Sequence, residues 1–269
     1  MDRYRLKNII ILILLLVNVF LLGSLAQRRS AEAATYRNTV DQMAALFLAD
    51  GITLHTDAIP HQEVPGPRTL TRSPELDRIA AAFLLGDHLE QADQGGGIFT
   101  YSGDRGSALF RSNGSFDAAG SLADQDARDF CREFAREFGY QDPEFHLDEQ
   151  GSGTATAVRL WGDAPVYNCT VTFTLQNRAL VGVTGTLLPD LSSPLADQEE
   201  PLSALAALTA FQQVRKETGA VVTDVSDVSL CYELQSTTAV PLSLTPAWRI
   251  ETNTASYYVN SLTGAVRLG

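Results

Sequence analysis

Four side chains able to hold a metal ion crowd one proline-rich stretch: His55, Asp57, His61 and Glu63. Imidazole nitrogens and carboxylate oxygens are common ligands for zinc and related ions. The same stretch carries Pro60, Pro65 and Pro67, with Pro74 beyond it, and such a run reads as extended and irregular. Histidines and acids in that setting read as a solvated loop, so no metal site is assigned. His88 and His146 stand apart from other reactive residues and read as surface side chains.

Cys131, Cys169 and Cys231 form no close-spaced motif, and an odd number leaves at least one thiol unpaired within the chain. Cys131 falls on the apolar stripe of a predicted helix, where a cysteine acts as a small hydrophobe. The alternative is a bridge from Cys131 to Cys169, tying that helix to its own sheet. Gly151-Ser152-Gly153 lacks the spacing of a nucleophile elbow. There is no His-Glu-x-x-His, Cys-x-x-Cys or Ser-x-x-Lys, and Lys216 follows no glycine-rich phosphate loop. The expectation is a chain that is not an enzyme, with no catalytic residue, cofactor or metal.

Asn18 has the clearest functional case. It is the one strongly polar side chain in residues 9–26, an uncharged run that also holds Phe20. Those eighteen residues give roughly 27 Å of helix, enough for a hydrocarbon core. An amide there seeks a hydrogen bond, either from its own helix or from a neighbouring one, the latter contributing about 0.6–2 kcal/mol. Asn18 and Phe20 are therefore the candidate partner contacts of a transmembrane helix.

Arg3, Arg5 and Lys7 precede the run against Asp2, and Arg28 and Arg29 follow it. With the terminal amine, the basic excess keeps the N-terminus cytoplasmic and places the body outside. The alternative is a cleaved signal peptide ending at Ser24-Leu25-Ala26, with small residues at both key positions. Either reading exports the body. Residues 1–30 carry five basic side chains and one acid, or +4, so the chain total of −12 leaves −16 for residues 31–269. So acidic a body is a poor partner for nucleic acid or anionic headgroups.

The elements that position these residues begin with a helix continuing from the anchor to residue 49, where Val40, Ala44, Phe47 and Leu48 recur at helical spacing. The proline-rich crossing over 52–74 follows. Ser73 and Pro74 open a helix with Leu76, Ile79, Ala80 and Phe83 on one stripe, ending near Gly86. Short strands are predicted over 97–101, 107–112 and 115–119, with a tight turn at Asn113-Gly114. Ser121 and Asp124 mark a capping-box-like start for the next helix, whose Ala127, Phe130, Cys131, Phe134, Ala135 and Phe138 share one face before Gly139.

Strands over 154–161, 166–175 and 179–188 come next, and a soft linker spans 189–200. The acidic run 197–200 suits the start of a helix opened by Pro201. That helix carries Ala204, Ala207, Leu208, Phe211 and Val214 on one face and stops at Gly219. Strands over 225–234, 247–252 and 256–259 follow, and a last extended piece at 265–268 completes the chain. Trp161 and Trp248 read as core residues.

One unit is used twice. Gly139 precedes Gly185 by 185 − 139 = 46 residues, and Gly219 precedes Gly264 by 264 − 219 = 45. Each distal glycine follows a threonine, in Thr184-Gly185-Thr186-Leu187 and Thr263-Gly264-Ala265-Val266. The spacing predicts a helix, a stop glycine and three antiparallel strands ending at a Thr-Gly turn.

The closing run Trp248-Arg249-Ile250-Glu251, Tyr257-Tyr258-Val259-Asn260 and Thr263-Gly264-Ala265-Val266 resembles the last hairpin of PepSY-type domains, with Asn260 where an aspartate is usual. At the other end, the basic tip followed by Leu16-Val17-Asn18-Val19-Phe20-Leu21-Leu22 is similar to anchors of the YycH/YycI family, and suits its YycI branch. The resemblance implies an α+β fold: a single N-terminal transmembrane helix, then an extracytoplasmic body of repeated PepSY-like units, each a helix plus a three-stranded antiparallel sheet.

It divides the chain into a basic tip and anchor (1–30), a stalk helix and crossing (31–73), an N-terminal α/β subdomain or short repeat (74–120), and two PepSY-like units (121–195 and 196–269). It also implies a single-pass regulator of the cell-wall sensor histidine kinase of Gram-positive bacteria, with that kinase and a paired YycH-like protein as partners. The alternative function is a PepSY-like inhibitor or chaperone of an exported peptidase or cell-wall hydrolase.

Overall fold

One helix, α1 (Arg3–Ala49), runs without a break from the basic tip into the folded body. The computed structural model describes residues 3–123, 126–189, 192–195, 200–236 and 242–269, leaving the side chains of 3–13, 19, 23, 25–26 and 28–32 outside that description. The apolar run 9–26 lies within α1. Among the described residues no helix is long and apolar enough to cross a membrane, so the expected span rests on the sequence. From residue 27 to 49 the chain has neither proline nor glycine, and its Ala, Arg, Gln and Glu favour helix. The last turns of α1 bury Val40 and Phe47.

The crossing is more regular than its prolines suggest. It contains β1 (Thr53–Leu54) and β2 (Arg68–Leu70), and its Ile52, Leu54, Ile59 and Leu70 are buried. Helix α2 (Pro74–Leu85) follows, with Pro74 at its first position and Gly86 at its end. Then come β3 (Glu90–Gly95), β4 (Ile98–Gly103), β5 (Gly106–Phe110) and β6 (Ser115–Gly120), an antiparallel meander. Strand β3 escapes the sequence reading because Glu-Gln-Ala-Asp-Gln-Gly has no apolar alternation, and every residue of it is exposed.

Helix α3 (Ala127–Glu137) buries Ala127, Phe130, Cys131, Phe134 and Ala135, as its stripe predicts. Its cap is Asp126 rather than Ser121: the Asp126 carboxylate accepts from the N–H groups of Arg128 and Asp129 at 2.9 and 3.4 Å. Asp124 lies outside the described residues. Strands β7 (Glu144–Leu147), β8 (Gly153–Trp161), β9 (Ala164–Gln176) and β10 (Ala179–Thr186) form a second meander. Together α2, α3 and β4–β10 enclose one core, where Phe134 meets Phe83, Phe116, Phe138 and Phe173. An aromatic side chain so enclosed contributes about 3–5 kcal/mol against truncation to alanine.

Strand β11 (Ser192–Pro194) and helix α4 (Ala204–Thr218) come next. Ser203, not Pro201, caps α4, its hydroxyl accepting from the Ala206 N–H at 3.4 Å. The acidic run 197–200 lies outside the described residues apart from Glu200. Strands β12 (Asp224–Gln235), β13 (Ser243–Thr252), β14 (Ser256–Asn260) and β15 (Val266–Leu268) form a third meander. Their inner face packs with α4 and the end of α1 around Phe47, Phe211 and Trp248.

All fifteen described strands belong to one sheet, whose main path runs β11-β2-β13-β12-β9-β10-β6-β5-β4-β3. After α4 three antiparallel strands lead to the Thr263-Gly264 turn, with β15 beyond it, as predicted, whereas α3 is followed by four strands, β7 being the one the sequence reading lacked. The first strand starts five residues after the stop glycine in both, at 144 − 139 = 5 and 224 − 219 = 5.

The Thr-Gly pairs are not equivalent. Gly185 lies inside β10, paired with Val171 and Phe116, where an added Cβ would meet the Thr170 carbonyl oxygen at 2.7 Å. Gly264 sits in the turn after β14 with φ +71°, a conformation that glycine adopts without steric cost.

Candidate partner-binding surfaces

On α1, Asn18 and Phe20 are both exposed, Phe20 by 74%. The Asn18 amide donates to the Leu14 carbonyl at 2.9 Å, one turn back on its own helix. Residues two apart are separated by about 200° around a helix, so Asn18 and Phe20 cannot both face one partner helix. The body grips α1 further along. The Tyr36 ring stacks on His61 with centroids 3.9 Å apart, and its hydroxyl donates to the Pro60 carbonyl at 3.2 Å.

That stacking separates the four ligand-type side chains of the crossing. His61 faces Tyr36, while His55 reaches Asp224 at 3.1 Å. Among the described residues, no three His, Cys, Asp or Glu side chains are grouped to hold a metal. The three cysteines are free and buried, so Cys131 and Cys169 are not bridged. Cys169 donates to the Thr186 carbonyl at 3.1 Å and Cys231 to the Ala247 carbonyl at 3.3 Å. Burial pushes all three thiols up to about 12. Trp248 is fully buried and donates to the Leu202 carbonyl at 2.8 Å, whereas Trp161 is half-buried at the tip of the β8–β9 hairpin.

The two repeats meet where β9 runs parallel to β12, and they share one backbone register pair, Tyr232 with Val166. Side chains extend the contact. The Asn168 amide donates to the Leu234 carbonyl at 2.7 Å, and its carbonyl oxygen accepts from the Leu234 N–H at 2.8 Å. It stands in for a strand residue. Tyr167 and Tyr258 stack across the same junction, with centroids 3.9 Å apart and 14° between planes.

A buried carboxylate sits beneath those rings. Glu233 is 2% exposed. It accepts from the Asn260 amide at 3.0 Å and the Gln235 amide at 2.9 Å, and it pairs with Arg267 on β15. Burial first, and the Glu233 carboxylate second, push the Tyr167 hydroxyl well above its usual value. Sequence reasoning missed this group, because its members come from four separate strands; only Asn260, as a departure from the PepSY-type pattern, pointed toward it.

Beside the junction lies an open cleft of about 600 Å³. Its lining includes Trp161 and Asp163 of the β8–β9 hairpin, Pro60 and Gln62 of the crossing, and Val228 and Leu230 of β12. Among the described residues no Lys, Arg or His contributes to its lining.

The sequence matches no protein-family model and no curated protein. Solved structures overlap it in part. An uncharacterized protein of Eubacterium rectale aligns over 77% of this chain and 81% of its own, with 13% identity and a TM-score of 0.42. The C-terminal domain of Bacillus megaterium YpeB aligns over 74% of this chain and 98% of its own, with 13% identity and a TM-score of 0.35. YycH of Bacillus subtilis aligns over 78% of this chain and 53% of its own, with 11% identity and a TM-score of 0.35.

Proposed function

We propose that this chain is a non-enzymatic, membrane-anchored regulator that modulates a sensor histidine kinase of cell-wall homeostasis through its anchor and its outer body. The observation that carries the reading is α1: one unbroken helix joins the apolar N-terminal run to a body whose core buries Phe47. Whatever α1 contacts at one end is mechanically tied to the fold at the other. The resemblance of the anchor and of the closing hairpin to the YycH/YycI and PepSY-type patterns supplies the kinase as the partner. The N-terminus lies in the cytoplasm and the body outside the cell membrane.

Crosslinked membranes should yield a histidine kinase on purification of the full chain, and Asn18→Leu should lower its recovery. The body lacking residues 1–30 should fail to act. Recovery of neither a kinase nor a paired membrane protein would falsify the proposal. The open cleft favours a second reading, an inhibitor or chaperone of an exported peptidase or wall hydrolase; under that reading the truncated body keeps its activity.

A further inference from the structure

Strand β3 is the last on the main path of the sheet, and among the described residues β4 is the one strand that pairs with it. All six of its residues are exposed, so its outer edge is accessible along its whole length. Residues two apart in a strand direct their N–H and C=O groups to the same edge. Every other residue of β3 therefore turns its backbone polar groups outward, away from β4. Among the described residues no backbone–backbone hydrogen bond reaches β3 from outside the β3–β4 ladder.

The edge is complementary to itself. Its sequence Glu90-Gln91-Ala92-Asp93-Gln94 runs acid, amide, alanine, acid, amide. Two copies joined antiparallel, about a twofold axis normal to the sheet at Ala92, set Glu90 opposite Gln94, Gln91 opposite Asp93, and Ala92 opposite itself. The members of each pair lie an even number of residues apart, so they share a face, as that axis requires. Each carboxylate then meets an amide able to donate to it, in directly opposed cross-strand pairs. Moving the axis one residue on would oppose the two Asp93 carboxylates, and moving it one residue back would set Asp93 against Leu89.

An unpaired strand edge is a ready template for another chain, and a twofold contact closes on itself at two copies. The net charge of the body, −16 (−12 for the chain less +4 for residues 1–30), opposes association at low salt and is screened beyond about 8 Å at physiological ionic strength. Strands of this length span roughly 20 Å, and a pair of them buries less than the roughly 1,600 Å² of a standard interface. The association is therefore weak and reversible.

We propose that the outer edge of β3 is a homodimer interface, at which a second copy of this chain adds its own β3, antiparallel and centred on Ala92, so that two sheets become one. The interface goes beyond the anchor-based reading above and does not depend on it.

The test uses the full chain in detergent solution at physiological ionic strength, with single cysteines introduced on β3. Residues directly opposite in an antiparallel pair have Cα atoms about 4.5–5.5 Å apart, within reach of a disulfide, and the three native cysteines are buried. Ala92→Cys should therefore form a disulfide-linked dimer under mild oxidation, at least about tenfold faster than Glu90→Cys, whose two copies would lie roughly 13 Å apart along the strands. A mixture of Gln91→Cys and Asp93→Cys chains should give the mixed dimer. With no cysteine added, Gln91→Glu sets a carboxylate against Asp93 on both sides of the axis and should weaken dimerisation about tenfold in sedimentation equilibrium. Gln91→Lys, opposite the same Asp93, should strengthen it. Equal crosslinking of Ala92→Cys and Glu90→Cys overturns the proposal. So does no crosslink from Ala92→Cys, in which case the acids of β3 guard the edge against pairing. A dimer equally populated in Gln91→Glu and Gln91→Lys also overturns it, by placing the contact elsewhere, as on α1.

Discussion

Asn260 donates its amide to the buried carboxylate of Glu233 at 3.0 Å, and with its other atom accepts from the N–H groups of Leu262 and Thr263 at 3.0 and 3.1 Å. One side chain thereby closes the β14–β15 turn and neutralises a cost at the junction of the repeats. An aspartate could hold the turn but would set a second carboxylate against the first. Asn260→Asp should therefore destabilise the fold by about 2–4 kcal/mol, read as a lower urea midpoint with unchanged slope. An unchanged midpoint would remove Asn260 from any role at Glu233.

The helix caps give a second comparison. Asp126→Ala and Ser203→Ala should each cost about 1 kcal/mol. Ser121→Ala should leave thermal unfolding within experimental scatter, since Asp126, not Ser121, accepts from the first turn of α3. A loss at Ser121 equal to that at Asp126 would restore the capping box read from the sequence.

Gly185 and Gly264 should respond differently to alanine. At Gly264 the nearest side-chain atom, Leu202 Cδ1, is 3.6 Å from the added Cβ, so the cost is the backbone conformation alone, about 1 kcal/mol. At Gly185 the methyl meets backbone on the neighbouring strand, which overpacks a core and costs about 1–3 kcal/mol. Paired melting curves check the ranking, and equal losses would mean that β10 can shift away.

Asp77 supplies a pH-dependent signature. It is buried beside Arg72, and desolvation outweighs the guanidinium, holding its carboxyl above the ordinary value. A carboxyl raised in the folded state stabilises fully below its unfolded value of about 3.9 and loses that contribution as pH rises through the folded value. The stability advantage of the native chain over Asp77→Asn should therefore shrink as the pH rises above roughly 4. Calorimetry of both proteins at rising pH measures it, and an advantage that grows with pH would show that Arg72 dominates instead.

The buried thiols predict chemical silence. With all three cysteines buried and pushed up to about 12, the folded chain should resist alkylation at pH 8 and react fully in denaturant. Rapid labelling of the folded protein would place at least one thiol at the surface.

How much of this was legible beforehand depends on the reach of each signal. Helices α2, α3 and α4 carry their apolar stripes and stop glycines within a dozen or so residues, so periodicity located them. The central strands alternate clearly, as in Val171, Phe173 and Leu175 against their threonine neighbours. β3 was hidden because an exposed polar strand has no buried face to mark it. β1 and β2 were hidden because strands of two and three residues are defined by their partners, not their composition. The junction was the least legible part. Tyr167, Glu233, Tyr258 and Arg267 are brought together only by the order of the sheet.

The unbroken course of α1 makes residue number a compass bearing. With no joint between the apolar run and Phe47, every residue inserted between positions 27 and 35 turns the whole body by about 100° and raises it by about 1.5 Å. Two added residues would aim the Trp161 cleft at the far side of the stalk; seven would bring it back to within about 20°, some 10 Å higher. The number of residues between the apolar run and Phe47 thus sets the heading of the body relative to that run, as a keyed shaft sets the heading of whatever is mounted on it.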